Sequence, residues 1–163
     1  MRSIKNADEL FSLGKAESVE LMNDIDCQGK HISKLCSIFR GTIIGNNHTI
    51  SNLVIDDPVW GDEQKISLFN YLMHACIKDI TIENVKIIID KGVYTPSISA
   101  LCAEASDSVL ENIKVKVFTS NGEEIPMIYE SIGGVHNALE YTCNNKEYKI
   151  YKYKEGSLYE GNN

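Results

Sequence analysis

Few residues in this chain have the types and spacing to do chemistry, and most of those are carboxylates. Asp24 and Asp26 share one face of an extended segment, while Asp56-Asp57 and Asp62-Glu63 flank Trp60. Glycoside hydrolysis needs two carboxyl groups roughly 5 to 10 Å apart, and a carboxylate pair beside an aromatic ring could grip a sugar. The plainer account is a solvated acidic loop in which Trp60 partly covers the core. The four histidines, His31, His48, His74 and His136, show no His-x-x-x-His spacing and no neighbouring cysteine, so they read as no metal site. No Gly-x-Ser-x-Gly is present, and Gly133-Gly134 has no following helix with which to cradle a phosphate. The sequence therefore assigns no catalytic residue, no metal ligand and no cofactor.

Cysteine and charge narrow the alternatives. Cys27, Cys36, Cys76, Cys102 and Cys143 are odd in number, lack Cys-x-x-Cys spacing and sit among Ile, Leu and Ala. They read as small buried hydrophobes in a reducing compartment. Net charge is −7, with 20 acids against 12 bases in residues 1–140 and three acids against four lysines in residues 141–163. No basic stripe is available to release counterions from a phosphate backbone, so direct nucleic-acid binding is disfavoured. The acids gather on loops. Residues 50–64 carry four and no base, and residues 117–140 carry Glu123, Glu124, Glu130 and Glu140 and no base.

The elements that must position these loops announce themselves by repetition. Ile50-Ser51-Asn52-Leu53-Val54-Ile55 returns as Ile77-Lys78-Asp79-Ile80-Thr81-Ile82 and as Leu110-Glu111-Asn112-Ile113-Lys114-Val115. The polar residues of these phrases lie 27 and 33 residues apart, within the range of stacked architectures. A second class of short apolar runs precedes them: Ser37-Ile38-Phe39-Arg40-Gly41, Ile66-Ser67-Leu68-Phe69-Asn70, Ile98-Ser99-Ala100-Leu101-Cys102 and Ser131-Ile132-Gly133-Gly134-Val135. A repeat of short strands without a helix predicts an all-β fold, a short right-handed parallel β-helix of about four to five coils.

In such a solenoid, inward positions stack in columns. The phrase spacing predicts one column of Ile50, Ile77, Leu110 and Leu139, another of Leu53, Ile80 and Ile113, and a third of Phe39, Phe69 and Cys102. Asn52, Asp79 and Asn112 would form a polar column whose side chains bond their own turn or the next coil.

Residues 1–163 read as one domain with a helical cap (1–18), coils (19–140) and closing strands with a tail (141–163). Asn6-Ala7-Asp8-Glu9 has the form of a capping box, with an apolar face at Leu10, Phe11 and Leu13 and a stop at Gly14. A helix over about 6–13 would lie across the open end of the first coil. The alternating run Glu147 to Lys154 predicts terminal strands, with lysines guarding the edge and a homodimer contact as one use for them. No apolar stretch has the length of a membrane span, and no leader is recognised, so a cytoplasmic location is expected.

The stretch Phe39-Arg40-Gly41-Thr42-Ile43-Ile44-Gly45-Asn46-Asn47-His48-Thr49-Ile50-Ser51-Asn52-Leu53 resembles the coil signature of bacterial GLUG-type repeats. Met22-Asn23-Asp24-Ile25-Asp26 and Ser67-Leu68-Phe69 resemble that family's flanking phrases. The chain departs from the signature at Asn47 and Ser67, where the family has glycine. The resemblance, over about residues 4–135, implies a right-handed parallel β-helix and gives His48 a backbone hydrogen bond at a turn. It implies no activity.

Carboxylates presented on a rigid rod could imitate a phosphate backbone. The expected function is a non-catalytic protein-binding module, an inhibitor of a host nucleic-acid enzyme such as a phage product acting on a CRISPR effector. Its partner-binding residues would be Asp56, Asp57, Trp60, Asp62, Glu63, Glu123 and Glu124. Carbohydrate binding or cleavage is the alternative.

Overall fold

The computed structural model describes residues 1–57, 65–89, 97–154 and 157–161, with side chains up to residue 148. The chain runs through β1 (Arg2–Ile4), α1 (Ala7–Phe11), β2 (Ser18–Leu21), β3 (Ile25–Ile32), β4 (Cys36–Phe39), β5 (Thr42–Ile55), β6 (Lys65–Ile66) and β7 (Phe69–Met73). It continues through β8 (Cys76–Ile87), β9 (Ser97–Ile98), β10 (Cys102–Ser106), β11 (Val109–Thr119), β12 (Ile128–Ile132), β13 (Val135–Cys143), β14 (Lys146–Lys154) and β15 (Ser157–Gly161). The fold is all-β, with α1 the one helix among the described residues. Asn6 caps α1 by accepting from the Glu9 N–H at 2.9 Å, while the Glu9 carboxylate accepts from the Lys5 N–H at 2.6 Å. The helix is shorter than the 6–13 span read from sequence. The Ser12 N–H turns back to the Glu9 carbonyl, and the Gly14 N–H goes to the Glu17 carboxylate at 2.9 Å.

Three sheets form. The largest runs β1-β2-β5-β8-β11-β13-β14-β15, with β3 also on β5; the second runs β12-β10-β7-β4; the third pairs β6 with β9. Pairing is parallel throughout, except that β14 on β13 and β15 on β14 are antiparallel. Each long strand therefore lies beside its successor one circuit of the chain later. Its connection is made of other strands instead of the helix usual between parallel neighbours.

The register defines the core and corrects the columns expected from sequence. Val19, Ile43, Ile77, Leu110 and His136 are successive cross-strand partners, as are Ile25, Ile50, Ile82, Val115 and Tyr141. All ten are buried. Ile50 thus stacks on Ile82 and not on Ile77. Ile80 and Ile113 do stack, but they continue to Leu139 and are preceded by His48, not Leu53. Phe69 partners Cys102 as expected, whereas Phe39 partners Leu72 and meets the Phe69 ring at 5.6 Å. Ser131 lies opposite Ala105, so Ser131 to Val135 is not the equivalent of Ile98 to Cys102; Ile128 is the partner of Cys102.

The cause of the misalignment is local. Within β5 and β8 the strand turns twice through the left-handed region, at Asn46-Asn47 and Asn52 in one and at Asp79 and Asn84 in the other. The turns at Asn52, Asp79 and Asn84 each come two residues after an isoleucine and just before an apolar residue, so Ile82-Glu83-Asn84-Val85 is a second copy of the phrase that begins at Ile77, five residues after it. Asn and Asp tolerate this conformation best among residues with a Cβ. The polar column expected from sequence therefore splits into two ladders. Asn112 Nδ2 donates to Asp79 Oδ1 at 2.9 Å and approaches Asn47 Oδ1 at 3.4 Å. Asn84 Nδ2 donates to Asn52 Oδ1 at 2.5 Å, and Asn52 Nδ2 donates to Asp26 Oδ1 at 2.8 Å. Asn52 belongs with Asp26 and Asn84.

Candidate functional site

The long strands end at another corner, and the acidic loops leave from it. The Asp56 N–H bonds to the Ile32 carbonyl at 2.8 Å, Ile88 N–H to Ile55 at 2.9 Å, and Ser120 N–H to Ile87 at 2.9 Å. Ile32, Ile55, Ile87 and Thr119 are thus one column, and Asp56, Ile88 and Ser120 are its equivalent exits. The segments after Asp56 and after Ser120 start two strand spacings apart, roughly 10 Å. Ser120 clasps the intervening turn, its Oγ accepting from the Ile89 N–H at 2.8 Å.

The carboxylates at this corner differ in how they are held. Asp56 Oδ2 lies 3.1 Å from His31 Nδ1, and Asp57, with its side chain only 3% exposed, lies 3.1 Å from Lys34 Nζ. Glu124 accepts from Tyr148 OH at 2.7 Å and from Lys146 Nζ at 3.3 Å, and these donors hold its carboxyl below the usual range. Glu123 is exposed, and its carboxylate meets the Asn121 amide at 3.3 Å, with no ion pair to a base among the described residues. Its backbone is fixed, because its carbonyl accepts from Thr119 Oγ1 at 2.7 Å and Asn144 Nδ2 at 3.0 Å. Buried Tyr141 donates to the Ile125 carbonyl at 2.9 Å and pins the far end of that loop. Trp60, Asp62 and Glu63 lie outside the described residues.

Sequence reasoning missed the partners. Nothing in a linear reading links Lys34 to Asp57 or Lys146 to Glu124, because each pair is closed by register across strands or by the β13–β14 turn. The nearest signal is the alternating run Glu147 to Lys154, which holds Tyr148 and whose pattern indicates terminal strands without naming Glu124 as a neighbour.

Elsewhere the chemistry is structural. Asp24 Oδ1 accepts from the Thr49 N–H at 2.9 Å and faces His48 Nδ1 at 3.2 Å. Asp26 Oδ1 accepts from Asn52 and from the Gln28 N–H at 2.8 Å. These bonds, with Thr49 foremost for Asp24 and Asn52 for Asp26, lower both carboxyl pKa values. A glycosidase acid requires the opposite shift. Burial pushes the Cys27 thiol up to about 11 and raises Cys36 and Cys102 as well, so these thiols are not poised as thiolates. No cluster of three metal-ligating side chains occurs among the described residues. No helix among them is long and apolar enough to cross a membrane. The outer face of the large sheet carries a shallow cavity of about 280 Å³ lined by residues that include Thr81, Glu83, Lys114, Lys116 and Glu140. Three comparisons were negative: no family model, no curated protein and no solved structure matches the chain.

Proposed function

We propose that the protein is a non-catalytic protein-binding module, a short right-handed parallel β-helix whose acidic loops engage a basic surface on a nucleic-acid enzyme and inhibit it. The observation that carries the reading is that the Asp56 and Ser120 exits belong to one backbone column. Two acidic loops far apart in sequence can therefore contact one partner at once. Asp57 and Glu124 already have base partners. Glu123 has no ion pair among the described residues and is the stronger candidate for long-range attraction; Asp62 and Glu63 complete the proposed surface. The downward shifts at Asp24 and Asp26 favour this reading over carbohydrate cleavage. GLUG-type ancestry is part of the proposal for the rod and not for its activity.

The test uses charge reversal at each loop separately. A partner captured from host lysate and identified should bind more weakly to Asp62→Lys/Glu63→Lys and also to Glu123→Lys, with a steep loss as salt rises. Turnover of an acidic polysaccharide that disappears when the same carboxylates are removed would overturn the reading.

A further inference from the structure

The second sheet ends in an open edge. β12 pairs with β10 on one side, and among the described residues no ladder forms on its other side, where β15 approaches without pairing. The opposite edge of that sheet is better covered, since the Arg40 N–H beyond β4 bonds to the Lys15 carbonyl at 2.7 Å. The large sheet, in turn, is extended past β13 by the antiparallel pair β14 and β15. Natural edges are blunted by lysine, proline or a bulge. The β12 sequence Ile128-Tyr129-Glu130-Ser131-Ile132 has no lysine or proline. Three of the five exposed large hydrophobic side chains among the described residues are here or just beyond: Tyr129 at 49%, Ile132 at 52% and Val135 at 51%.

The charge at this edge selects an occupant. Tyr71, Glu104 and Glu130 are successive cross-strand partners, which places two carboxylates directly opposite each other. Like charges in that position repel, and no base pairs with either among the described residues. Glu104 is tied only to Ser106 Oγ, at 3.1 Å. Antiparallel pairing of two β12 strands centred on Glu130 would set one Glu130 against another. A second copy is therefore a poor match in that register, and a strand with a cation at that place is a good one.

We propose that the free edge of β12 accepts an extended basic segment of a partner protein by strand addition. The segment's backbone continues the ladder, and a lysine or arginine opposite Glu130 neutralises the Glu104–Glu130 column. An apolar residue two positions along, on the same face, packs against Ile132. This surface is separate from the acidic-loop corner and stands independently of it.

The experiment titrates the ¹⁵N-labelled full chain with the peptide acetyl-Val-Thr-Lys-Thr-Val-amide, whose lysine and two valines share one face, into the millimolar range and follows amide shifts. Saturable shifts confined to residues 128–132 and their neighbours in 102–106 support the proposal. They should weaken roughly fivefold with Glu130→Lys, less with Glu130→Gln, and be absent with acetyl-Val-Thr-Glu-Thr-Val-amide. Glu130 is exposed, so both variants should fold, and their unperturbed spectra elsewhere check this. No saturable shift, or shifts centred on Asp56, Asp57 and Glu123 instead, would overturn it. So would a concentration-dependent shift of residues 128–132 without peptide, which would assign the edge to a second copy.

Discussion

The two kinds of corner in this fold handle the same geometric problem in opposite ways. At the Asn47/Asp79/Asn112 corner the chain turns tightly, and the Asn112 side-chain amide reaches both Asp79 and Asn47. At the Ile55/Ile87/Thr119 corner the backbone exits are equally well stacked, but eight or nine residues then separate each of these strand ends from the next described strand. The first corner fixes register. The second tolerates insertion because its register is already fixed by the strands before it. Chemical variety, including the acids, accumulates where packing does not forbid it.

Glycine substitution should break the symmetry between the corners most sharply. A Cβ on Gly45 would lie 2.2 Å from the Asp79 carbonyl oxygen, whereas one on Gly122 would meet nothing within 4 Å and face only the strain of φ +74°. Gly45→Ala is expected to cost about 3 kcal/mol and Gly122→Ala about 1 kcal/mol, read as urea midpoints. Equal losses would undo the contrast.

The ordered side also has a titratable weakness. His136 continues the column beyond Leu110, and burial lowers its pKa to about 4. Between that value and the ordinary 6.5 the unfolded chain binds the extra proton, so stability is lost as pH is lowered from 6.5 to about 4, by up to roughly 3 kcal/mol. His136→Leu should flatten that part of the urea-midpoint profile. At Asp24 and Asp26 the folded pKa lies below the ordinary 3.8, so their contribution is present above that value and lost as pH falls further. Asp26→Asn should reduce the loss seen at the acid end.

Smaller effects separate the ladders from the loops. Asn84→Ala removes an amide bond and leaves a non-glycine residue at φ 51°, which should cost about 1 to 2 kcal/mol by urea denaturation. Asn84→Gly should recover part of that. Glu123→Lys, on an exposed loop, should change stability by under about 0.5 kcal/mol while weakening the partner contact.

The β character of the fold was legible because Ile, Val and Leu alternate with polar residues and Asn recurs at turns. The register was not. In β8 two left-handed turns, five residues apart, carry nearly the same phrase, at Asp79 and at Asn84, and the eye pairs Asn52 with Asp79 when its neighbours are Asp26 and Asn84. In β11 the second turn is absent: Lys116 alone stands opposite Glu83 and Asn84, the extra residue being in β8, so phrase counting fails there too. Asp56, Asp57, Glu123 and Glu124 were legible as loop acids. Their partners His31, Lys34, Tyr148 and Lys146 were not, because cross-strand proximity follows register.

The shared origin of the two acidic loops rests on that register, and nuclear Overhauser contacts between backbone amides read it directly. A ¹⁵N-edited spectrum should connect Ile88 with the Ile55 strand end and Ser120 with Ile87, and the Asn84 side-chain amide with Asn52. Contacts placing Ile55 opposite Ile82 and Asn52 beside Asp79, the arrangement implied by a 27-residue step, would contradict the account.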